Sequence, residues 1–339
     1  MQSTLLNKMV KGLSLALVTS AVSLSAMAAD VAPAVVYSDA GKFDKSFSEA
    51  VWNNGVKRFM DETGIEVKEA EPTNLAQVEQ YLKRLAKRGH SPIVAVGFSQ
   101  ANAVSAAAAA YPDAQFTLID MVVPEPNVQN VVFKEHEGSF LVGVLAAMKS
   151  ESNVVGFVGG MDIPLISRFG CGYEQGAKYQ SADITVLQNM TGSTPAAFGN
   201  PSKGAELTRT QMEGGADVIF AAAGGTGNGV YQAAADAGKY AIGVDSNQNH
   251  LHPGTMLTSM VKRVGEATYQ SYKAAQNGTW APGVQVMGLA EGGVDWAIDE
   301  HNRGLVSAQM EARVNDVKAK IIAGEIVVHD YMSDNACSY

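Results

Sequence analysis

Residues 216–248 read ADVIFAAAGGTGNGVYQAAADAGKYAIGVDSNQ, and this stretch decides the fold. It predicts a buried strand over residues 218–223, a glycine-rich turn over 224–229, a helix over 230–237 and a second strand over 240–244. A continuous apolar run between glycines is typical of a strand that is covered on both faces, as in a parallel sheet. Asp245 follows the second strand directly, and the carboxyl ends of strands border the ligand crevice in open α/β sheets. Asp245 is therefore a candidate site residue.

The same order of elements occurs twice along the chain. The first half predicts strands over residues 34–37, 65–67, 92–98 and 116–119, and helices over 47–63, 75–88 and 101–110. The second half predicts strands over 154–158, 184–187, 218–223 and 240–244, and helices over 165–179, 203–213 and 230–237. Each half closes on an aspartate, Asp120 or Asp245. Because alternating βα units form parallel sheets with right-handed crossovers, the sequence predicts an α/β protein of two doubly wound lobes with a cleft between them.

Three loops are predicted to connect the lobes, at residues 124–127, 247–254 and 280–283. Three crossings are characteristic of hinged two-lobed binding proteins of the bilobal periplasmic type, whose lobes close on a ligand. The predicted N-terminal lobe comprises residues 29–124 plus 250–281, and the C-terminal lobe comprises residues 125–249 plus 282–339.

The first 28 residues are typical of a signal peptide. Lys8 and Lys11 precede an apolar run over residues 12–25, and an A-x-A cleavage pattern ends at Ala28. An uncleaved anchor is the alternative, but the apolar run is short for a membrane span. No cysteine lies near the cleavage pattern to carry a lipid. The sequence therefore predicts a soluble periplasmic protein that is cleaved near Ala28.

The charge and the cysteines bear on partners and compartment. The formal net charge is −9 at pH 7, and loss of two lysines with the signal peptide makes the mature protein more acidic. Such a surface argues against nucleic acid and anionic membranes as partners. Cys171 and Cys337 are the two cysteines of the chain. In an exported protein they are candidates for a disulfide, but the sequence leaves their pairing open.

Motifs for catalysis are weak. Residues 224–229 loosely resemble a dinucleotide fingerprint, but the G-x-G-x-x-G spacing is not met, and neither G-x-x-x-x-G-K-[ST] nor G-x-S-x-G occurs. His250 and His252 flank one residue beside Pro253, which is more typical of a solvated loop than of a metal site. The sequence predicts no enzyme, no metal and no cofactor.

A binding site is better supported. The predicted strand ends bring to the cleft Asp39, Phe98, Asp120, Gly224, Gly225 and Asp245, and loops add Phe47 and Phe169. Aromatic faces stack on a flat ring, and carboxylates accept hydrogen bonds from hydroxyls or ring N–H groups. The alternatives are that Asp39 and Asp120 form turns and that Phe47 packs in the core.

Ser46 is predicted to cap the helix that begins at Phe47, with Glu49 as its capping-box partner.

Six segments resemble the BMP (basic membrane protein) family. They are residues 39–47 (DAGKFDKSF), 133–141 (FKEHEGSFL), 158–166 (VGGMDIPLI), 222–227 (AAGGTG), 243–246 (GVDS) and 257–263 (LTSMVKR). They occur in the family's order over nearly the whole mature chain. The resemblance implies a substrate-binding protein of an ABC importer with the bilobal type I fold. Its partners would be a purine nucleoside and an inner-membrane permease, and we expect a monomer.

The resemblance also implies roles for individual residues. The base would stack between Phe47 and Phe169. The base edge would meet Asp39, Asp44 and Asp120, or these residues would order the pocket. The ribose would be held by Gly225, Asp245 and Lys262.

Two departures from the family pattern leave the ligand open. Ser48 stands where the family usually has asparagine, and Phe198-Gly199-Asn200 replaces a Phe-Asn-Asp pattern. The alternatives are another ligand, such as riboflavin or another hydroxylated small molecule, and a role as a ligand sensor for a membrane receptor.

Overall fold

Short strands alternate with helices throughout the computed structural model, which describes residues 31–38 and 40–337. The predicted signal peptide and Asp39 lie outside the described residues. The strands are β1 (Ala34–Val36), β2 (Lys68–Ala70), β3 (Ile93–Ala95), β4 (Phe116–Ile119), β5 (Val128–Phe133), β6 (Val154–Met161), β7 (Thr185–Gly192), β8 (Val218–Ala222), β9 (Tyr240–Asp245), β10 (Met256–Lys262), β11 (Gly283–Met287) and β12 (Val294–Trp296). The helices are α1 (Phe47–Val51), α2 (Arg58–Thr63), α3 (Leu75–Lys87), α4 (Ala101–Ala110), α5 (Glu135–Lys149), α6 (Pro164–Gln180), α7 (Pro201–Glu213), α8 (Gly227–Asp236), α9 (Val264–Gln276) and α10 (Ala308–Ile322), and a π-helical segment (Trp52–Lys57) joins α1 to α2. Among these described helices, none combines the length with the apolar character that a bilayer span requires.

The strands form two separate sheets, each of six strands within the described residues. The first sheet has the order β11-β5-β4-β3-β1-β2, and all of its paired strands run parallel. The second has the order β12-β10-β9-β8-β6-β7 and is parallel apart from β12, which runs antiparallel to β10. The predicted architecture of two doubly wound α/β lobes is confirmed.

The central strands form the core of each lobe. Every residue of β3, β4 and β8 is buried, because helices cover both faces of a parallel sheet. This is why these segments are continuously apolar rather than alternating. The edge strand β11 has the opposite pattern, with Val284 and Val286 about half exposed. Residues that directly follow the central strands are therefore carried by the most firmly packed part of each lobe.

The lobe boundaries differ from the predicted ones. β5 and β11 belong to the first sheet and β10 belongs to the second, whereas the prediction assigned β5 and β11 to the C-terminal lobe and β10 to the N-terminal lobe. Helix α9 does lie on the first lobe as predicted, where its Tyr272 hydroxyl donates to the Ala34 carbonyl at 3.0 Å. In the described chain the backbone thus crosses between the sheets at residues 133–135, 262–264 and 287–294.

The three predicted connections are loops within a lobe. Residues 124–127 join β4 to β5, residues 247–254 join β9 to β10, and residues 280–283 join α9 to β11. Proline and glycine mark a reversal of the chain, but they do not indicate which sheet the next strand joins. The prediction of these positions as interlobe connections was therefore wrong.

The true crossings lie side by side. The Lys134 amide donates to the Met287 carbonyl at 3.0 Å, and the Arg263 amide donates to the Gly293 carbonyl at 2.8 Å. Each of these bonds joins the third crossing, residues 287–294, to one of the other two crossings. The three crossings thus form one hydrogen-bonded hinge.

A disulfide fixes the end of the described chain. It joins Cys171 of α6 to Cys337, with the two Cα atoms 5.4 Å apart. The pairing that the sequence left open is therefore made in the structure, and it attaches the C-terminal segment to the second lobe.

Helices α5 and α6 pack closely through glycines. A Cβ atom at Gly176 would lie 2.0 Å from the Phe140 carbonyl oxygen, and one at Gly143 would lie 2.1 Å from the Tyr173 carbonyl oxygen. Both neighbours are backbone atoms of the opposing helix, so neither can move away without shifting that helix. Side chains larger than hydrogen are excluded at this crossing.

We expect Gly176→Ala to lower the free energy of unfolding by about 1–3 kcal/mol, the usual cost of overpacking a core. Urea denaturation measures this change. Gly304→Ala is the matched control, since a Cβ atom there meets nothing within 4 Å. The close helix crossing would be contradicted if both variants were as stable as the wild type.

Candidate functional site

A pocket lies in the cleft between the two lobes. Eight of the predicted site residues line it: Asp44, Phe47, Phe98, Asp120, Phe169, Gly224, Asp245 and Lys262. Gly225 follows Gly224 directly, and a Cβ atom there would lie 3.8 Å from the Asp44 carbonyl oxygen of the opposing lobe. Asp39 lies outside the described residues. The structure thus brings the predicted residues that it describes to one place.

The pocket also contains residues that were not among the predicted site residues. Phe198 lies opposite Phe98 across the cleft, with ring centroids 6.3 Å apart and an interplanar angle of 63°. Its ring rests on glycines, since a Cβ atom at Gly160 would lie 2.3 Å from Phe198 Cε1. Its sequence signal was its place in the Phe198-Gly199-Asn200 departure from the family pattern. Further lining residues that were missed include Ser38, Ser99, Leu165, Ile166 and Pro195.

Asp44 caps helix α1. Its Oδ1 accepts from the amides of Ser46 at 2.9 Å and Glu49 at 3.1 Å, and its Oδ2 accepts from the Ser48 amide at 3.1 Å. The predicted cap by Ser46 was therefore wrong, because an aspartate two residues earlier reaches the same free amides. These hydrogen bonds order the pocket loop, which is one of the two roles expected for Asp44.

The Ser46 hydroxyl, which is not used for capping, joins the two lobes. Ser46 Oγ donates to Asp245 Oδ2 at 2.5 Å across the cleft. Beside it, Gln248 Nε2 donates to the Lys45 carbonyl at 2.7 Å. Gln248 is itself fixed, because its Oε1 accepts from the Tyr231 hydroxyl at 2.8 Å. The first-lobe loop therefore closes onto the end of β9.

Asp120 and Asp245 occupy equivalent positions in the two lobes. Each follows or ends a central strand, β4 or β9, and each has a positive φ angle, 71° for Asp120 and 65° for Asp245. Non-glycine residues adopt this region rarely, and such conformations concentrate at functional sites. Asp120 and Asp245, at which the two halves of the sequence end, thus share one uncommon backbone geometry at the pocket.

Lys262 is the cation of the pocket. Its Nζ lies 2.7 Å from Asp120 Oδ2 and 2.9 Å from Glu135 Oε1, and its side chain is 2% exposed. Burial alone would lower the pKa of Lys262, but the two carboxylates outweigh it and raise the pKa above its usual value. Lys262 is therefore an ammonium ion at neutral pH.

Burial raises the pKa of both strand-end carboxyls. The pKa of Asp245 rises to about 7, against the opposing influence of the Lys262 charge and the Ser46 hydroxyl. The pKa of Asp120 is also raised, while its contact with Lys262 favours the ionised form. Both carboxyls therefore hold a proton more readily than an exposed aspartate does.

Comparison with known proteins identifies the family to which this chain belongs. The family model described as "ABC transporter substrate-binding protein PnrA-like" matches residues 32–331. This chain belongs to the Bmp family. It is 32% identical over 294 residues to Basic membrane protein A of Borreliella burgdorferi, covering 84% of each chain. It is 30% identical over 328 residues to the ABC transporter nucleoside-binding protein BmpA of Lactococcus lactis subsp. cremoris, covering 88% of this chain and 89% of that protein.

A solved structure supports the same assignment. An ABC transporter solute-binding protein from Aeropyrum pernix matches with a TM-score of 0.80 at 27% identity, covering 88% of this chain and 94% of that one. The bilobal periplasmic-binding fold and the family predicted from the sequence are therefore confirmed. This Bmp protein is a substrate-binding component of an ABC transporter, and its family is one of binding proteins rather than enzymes.

The two departures from the family pattern have different places in this Bmp protein. Ser48 is buried, and its hydroxyl lies 2.9 Å from that of Ser38, which lines the pocket. Asn200 instead caps α7, where its Oδ1 accepts from the Lys203 amide at 3.0 Å. Ser48 thus lies directly behind the pocket wall, whereas the side chain of Asn200 is used to start a helix.

We expect Asp245→Asn to stabilise this Bmp protein at pH 8 by about 2–4 kcal/mol. The folded-state pKa of Asp245 lies above the usual value of 3.8, so ionisation favours the unfolded chain. The contribution of the protonated carboxyl is complete below about pH 4 and is lost as the pH rises to about 7. Asparagine does not ionise, and it can still accept from Ser46.

Urea denaturation at pH 4 and pH 8 measures the effect, with the exposed Asp113→Asn as control. The variant and the wild type should differ at pH 8 and converge at pH 4. A difference that is the same at both pH values would contradict the raised pKa.

Proposed function

We propose that this protein captures a purine nucleoside between its lobes and delivers it to the permease of an ABC importer. The observation that carries the proposal is the lining of one pocket, which has an aromatic part of four phenylalanines and a polar part of Asp120, Asp245 and Lys262. The two parts meet at Lys262, whose Nζ lies 5.3 Å from the Phe47 ring centroid and 5.6 Å from that of Phe169. A nucleoside likewise joins a flat base to a sugar with hydroxyls.

The aromatic part suits a flat ring. Phe47 and Phe98 come from the first lobe, and Phe169 and Phe198 come from the second. A base that lies between them contacts both lobes at once, and base–aromatic stacking is worth about 1–3 kcal/mol per base. Closure of the cleft and binding of the ring would therefore favour each other.

The polar part offers one acceptor that the protein does not use. Asp120 Oδ1 is buried and has no hydrogen-bond partner among the described residues, although Oδ2 of the same carboxylate contacts Lys262. A buried acceptor without a partner is costly, and a ring N–H would satisfy it. Asp245 and Lys262 provide an acceptor and a donor for sugar hydroxyls.

The charges favour a nucleoside over a nucleotide. The pocket lining includes three carboxyl groups, those of Asp44, Asp120 and Asp245, and one lysine, whose charge is already shared between two carboxylates. A phosphate group would face this excess of negative charge without a free cation in the lining, and like charges in a buried site cost several kcal/mol. A neutral ligand avoids this cost.

The relatives and the sequence support the wider role. One relative, from Lactococcus lactis, is named as a nucleoside-binding protein. Residues 1–28 have the pattern of a signal peptide without a lipid-bearing cysteine, and we propose a soluble, monomeric protein of the periplasm. Its protein partner is the permease of the importer.

The proposal is tested by mass spectrometry of the small molecule that denaturation releases from the purified protein, followed by calorimetry with guanosine, adenosine and their 5′-monophosphates. We expect a purine nucleoside to be released and each nucleoside to bind at least about tenfold more tightly than its monophosphate. Release of a flavin would retain the importer role but overturn the nucleoside. Equal binding of guanosine and its monophosphate would contradict the charge argument.

The ring of Phe198 provides a second test. We expect Phe198→Ala to weaken binding of the released ligand by about 1–3 kcal/mol, because a stacking face is lost. Phe198→Leu is the informative companion, since it keeps most of the apolar volume but has no ring. Stacking predicts that both variants lose affinity in calorimetry, whereas full affinity in the leucine variant would mean that Phe198 only fills space.

A further inference from the structure

Five charged side chains of alternating sign form a continuous series that leads out of the pocket. In order they are Asp120, Lys262, Glu135, Arg168 and Asp330, and we call them the ion chain. They come from the end of β4, the end of β10, the start of α5, α6 and the C-terminal segment. Each member contacts the next within 3 Å. The series connects the ligand pocket to a segment that does not line it.

The middle of the ion chain passes through the hinge. Glu135 and Lys262 lie on two of the three crossings between the lobes, and their contact measures 2.9 Å. Arg168 Nη1 holds the first of these crossings twice, at 2.9 Å from Glu135 Oε2 and 2.6 Å from the Phe133 carbonyl. The position of Lys262 therefore depends on Glu135, and that of Glu135 depends on Arg168.

The outer end of the ion chain orients Arg168. Asp330 binds the guanidinium with both oxygens, Oδ1 to Nε at 2.7 Å and Oδ2 to Nη2 at 2.6 Å. Such bidentate pairs fix the plane of the guanidinium as well as its position. With Asp330 in place, all three nitrogens of Arg168 are held.

The tail, which we define as residues 329–337, is held on one face of α6. Arg168, Cys171 and Gln175 are spaced by three and four residues, which places them on the same side of the helix. Gln175 exchanges two hydrogen bonds of 2.9 Å with the backbone of His329, and Cys171 is bonded to Cys337. The contacts of Gln175 and Cys171 thus lie on either side of Asp330 along the tail and keep it against Arg168.

We propose that the disulfide-bonded tail is a positioning element for the ligand site: Cys337 holds Asp330 on Arg168, and Arg168 and Glu135 then set the position of the Lys262 ammonium. Neither Asp330 nor the two cysteines line the pocket. The inference rests on the proposed function in one respect, that Lys262 contacts the bound nucleoside. It adds that ligand affinity depends on the oxidised state of a cysteine pair outside the pocket.

The first test is a double-mutant cycle on guanosine affinity with Asp330→Asn, Lys262→Met and the double variant. Mutations along a coupled path change ligand affinity modestly, so we expect Asp330→Asn to weaken binding by about 3- to 10-fold. It should have no further effect once Lys262 is replaced. Asp330→Glu should restore part of the affinity, and Asp316→Asn, which removes an exposed carboxylate paired with Lys320, should change nothing. Equal effects of Asp330→Asn with and without Lys262 would overturn the proposal.

The second test addresses the disulfide. A thiol reductant should lower guanosine affinity of the wild type by about as much as Asp330→Asn does, and it should not affect a Cys171→Ser/Cys337→Ser variant, whose affinity is already reduced. Unchanged affinity of the reduced wild type and of the double serine variant would overturn the role of the cysteine pair.

A third measurement does not need a ligand and separates this inference from the proposed function. Lys262 and Lys42 are both less than one-tenth exposed, and buried ammonium groups exchange slowly enough to be seen in ¹⁵N NMR of lysine-labelled protein. Lys262→Met assigns the Lys262 signal. Asp330→Asn should shift that signal and leave that of Lys42 in place, even if no purine nucleoside binds. An unchanged Lys262 signal would overturn the inference whether or not a nucleoside binds.

Discussion

The contact of Lys262 with Asp120 and Glu135 is the interaction on which the rest of the site depends. A buried ammonium ion costs several kcal/mol in lost hydration, which only well-placed carboxylates offset. Here one carboxylate follows a strand of the first lobe and the other ends a crossing between the lobes. The charge can therefore be satisfied only when the first lobe, the hinge and the end of β10 come together. The ion pair thus specifies the arrangement of the site more than it adds to stability.

The duplicated architecture gives the two lobes the same strand-end aspartate but different surroundings. Asp120 contacts an ammonium ion, whereas Asp245 accepts from a serine hydroxyl and lies farther from compensating charge. One backbone geometry consequently presents a carboxyl that contacts a cation in the first lobe and a carboxyl that accepts from a hydroxyl in the second. Two groups of one type in different environments can contact different parts of one ligand.

The architecture of the lobes could be read from the sequence because it depends on local patterns. The amphipathic helix expected over residues 75–88 is α3, and the strand expected over residues 116–119 is β4. Strand-end residues such as Asp245 were found because a rule links the ends of parallel strands to the crevice. The hinge was missed because two of its crossings, at residues 133–135 and 262–264, continue directly from strands without a proline or glycine signal. The third crossing does contain glycines, but the sheets that β5 and β11 join are a matter of long-range pairing. Arg168 and Asp330 are 162 positions apart, and no local pattern connects them.

Closure of the cleft is supported by contacts that belong to the protein alone. Because Asp44 caps α1, the Ser46 hydroxyl is available to Asp245, and Gln248 adds a second bond to the same loop. Each such hydrogen bond contributes only about 1 kcal/mol net, so together they favour the closed form without locking it. A ligand shifts the balance between open and closed lobes only by its difference in affinity for the two forms. A binding protein that must also release its cargo is served by such weak contacts, since the ligand's bonds to both lobes then decide whether the cleft stays closed.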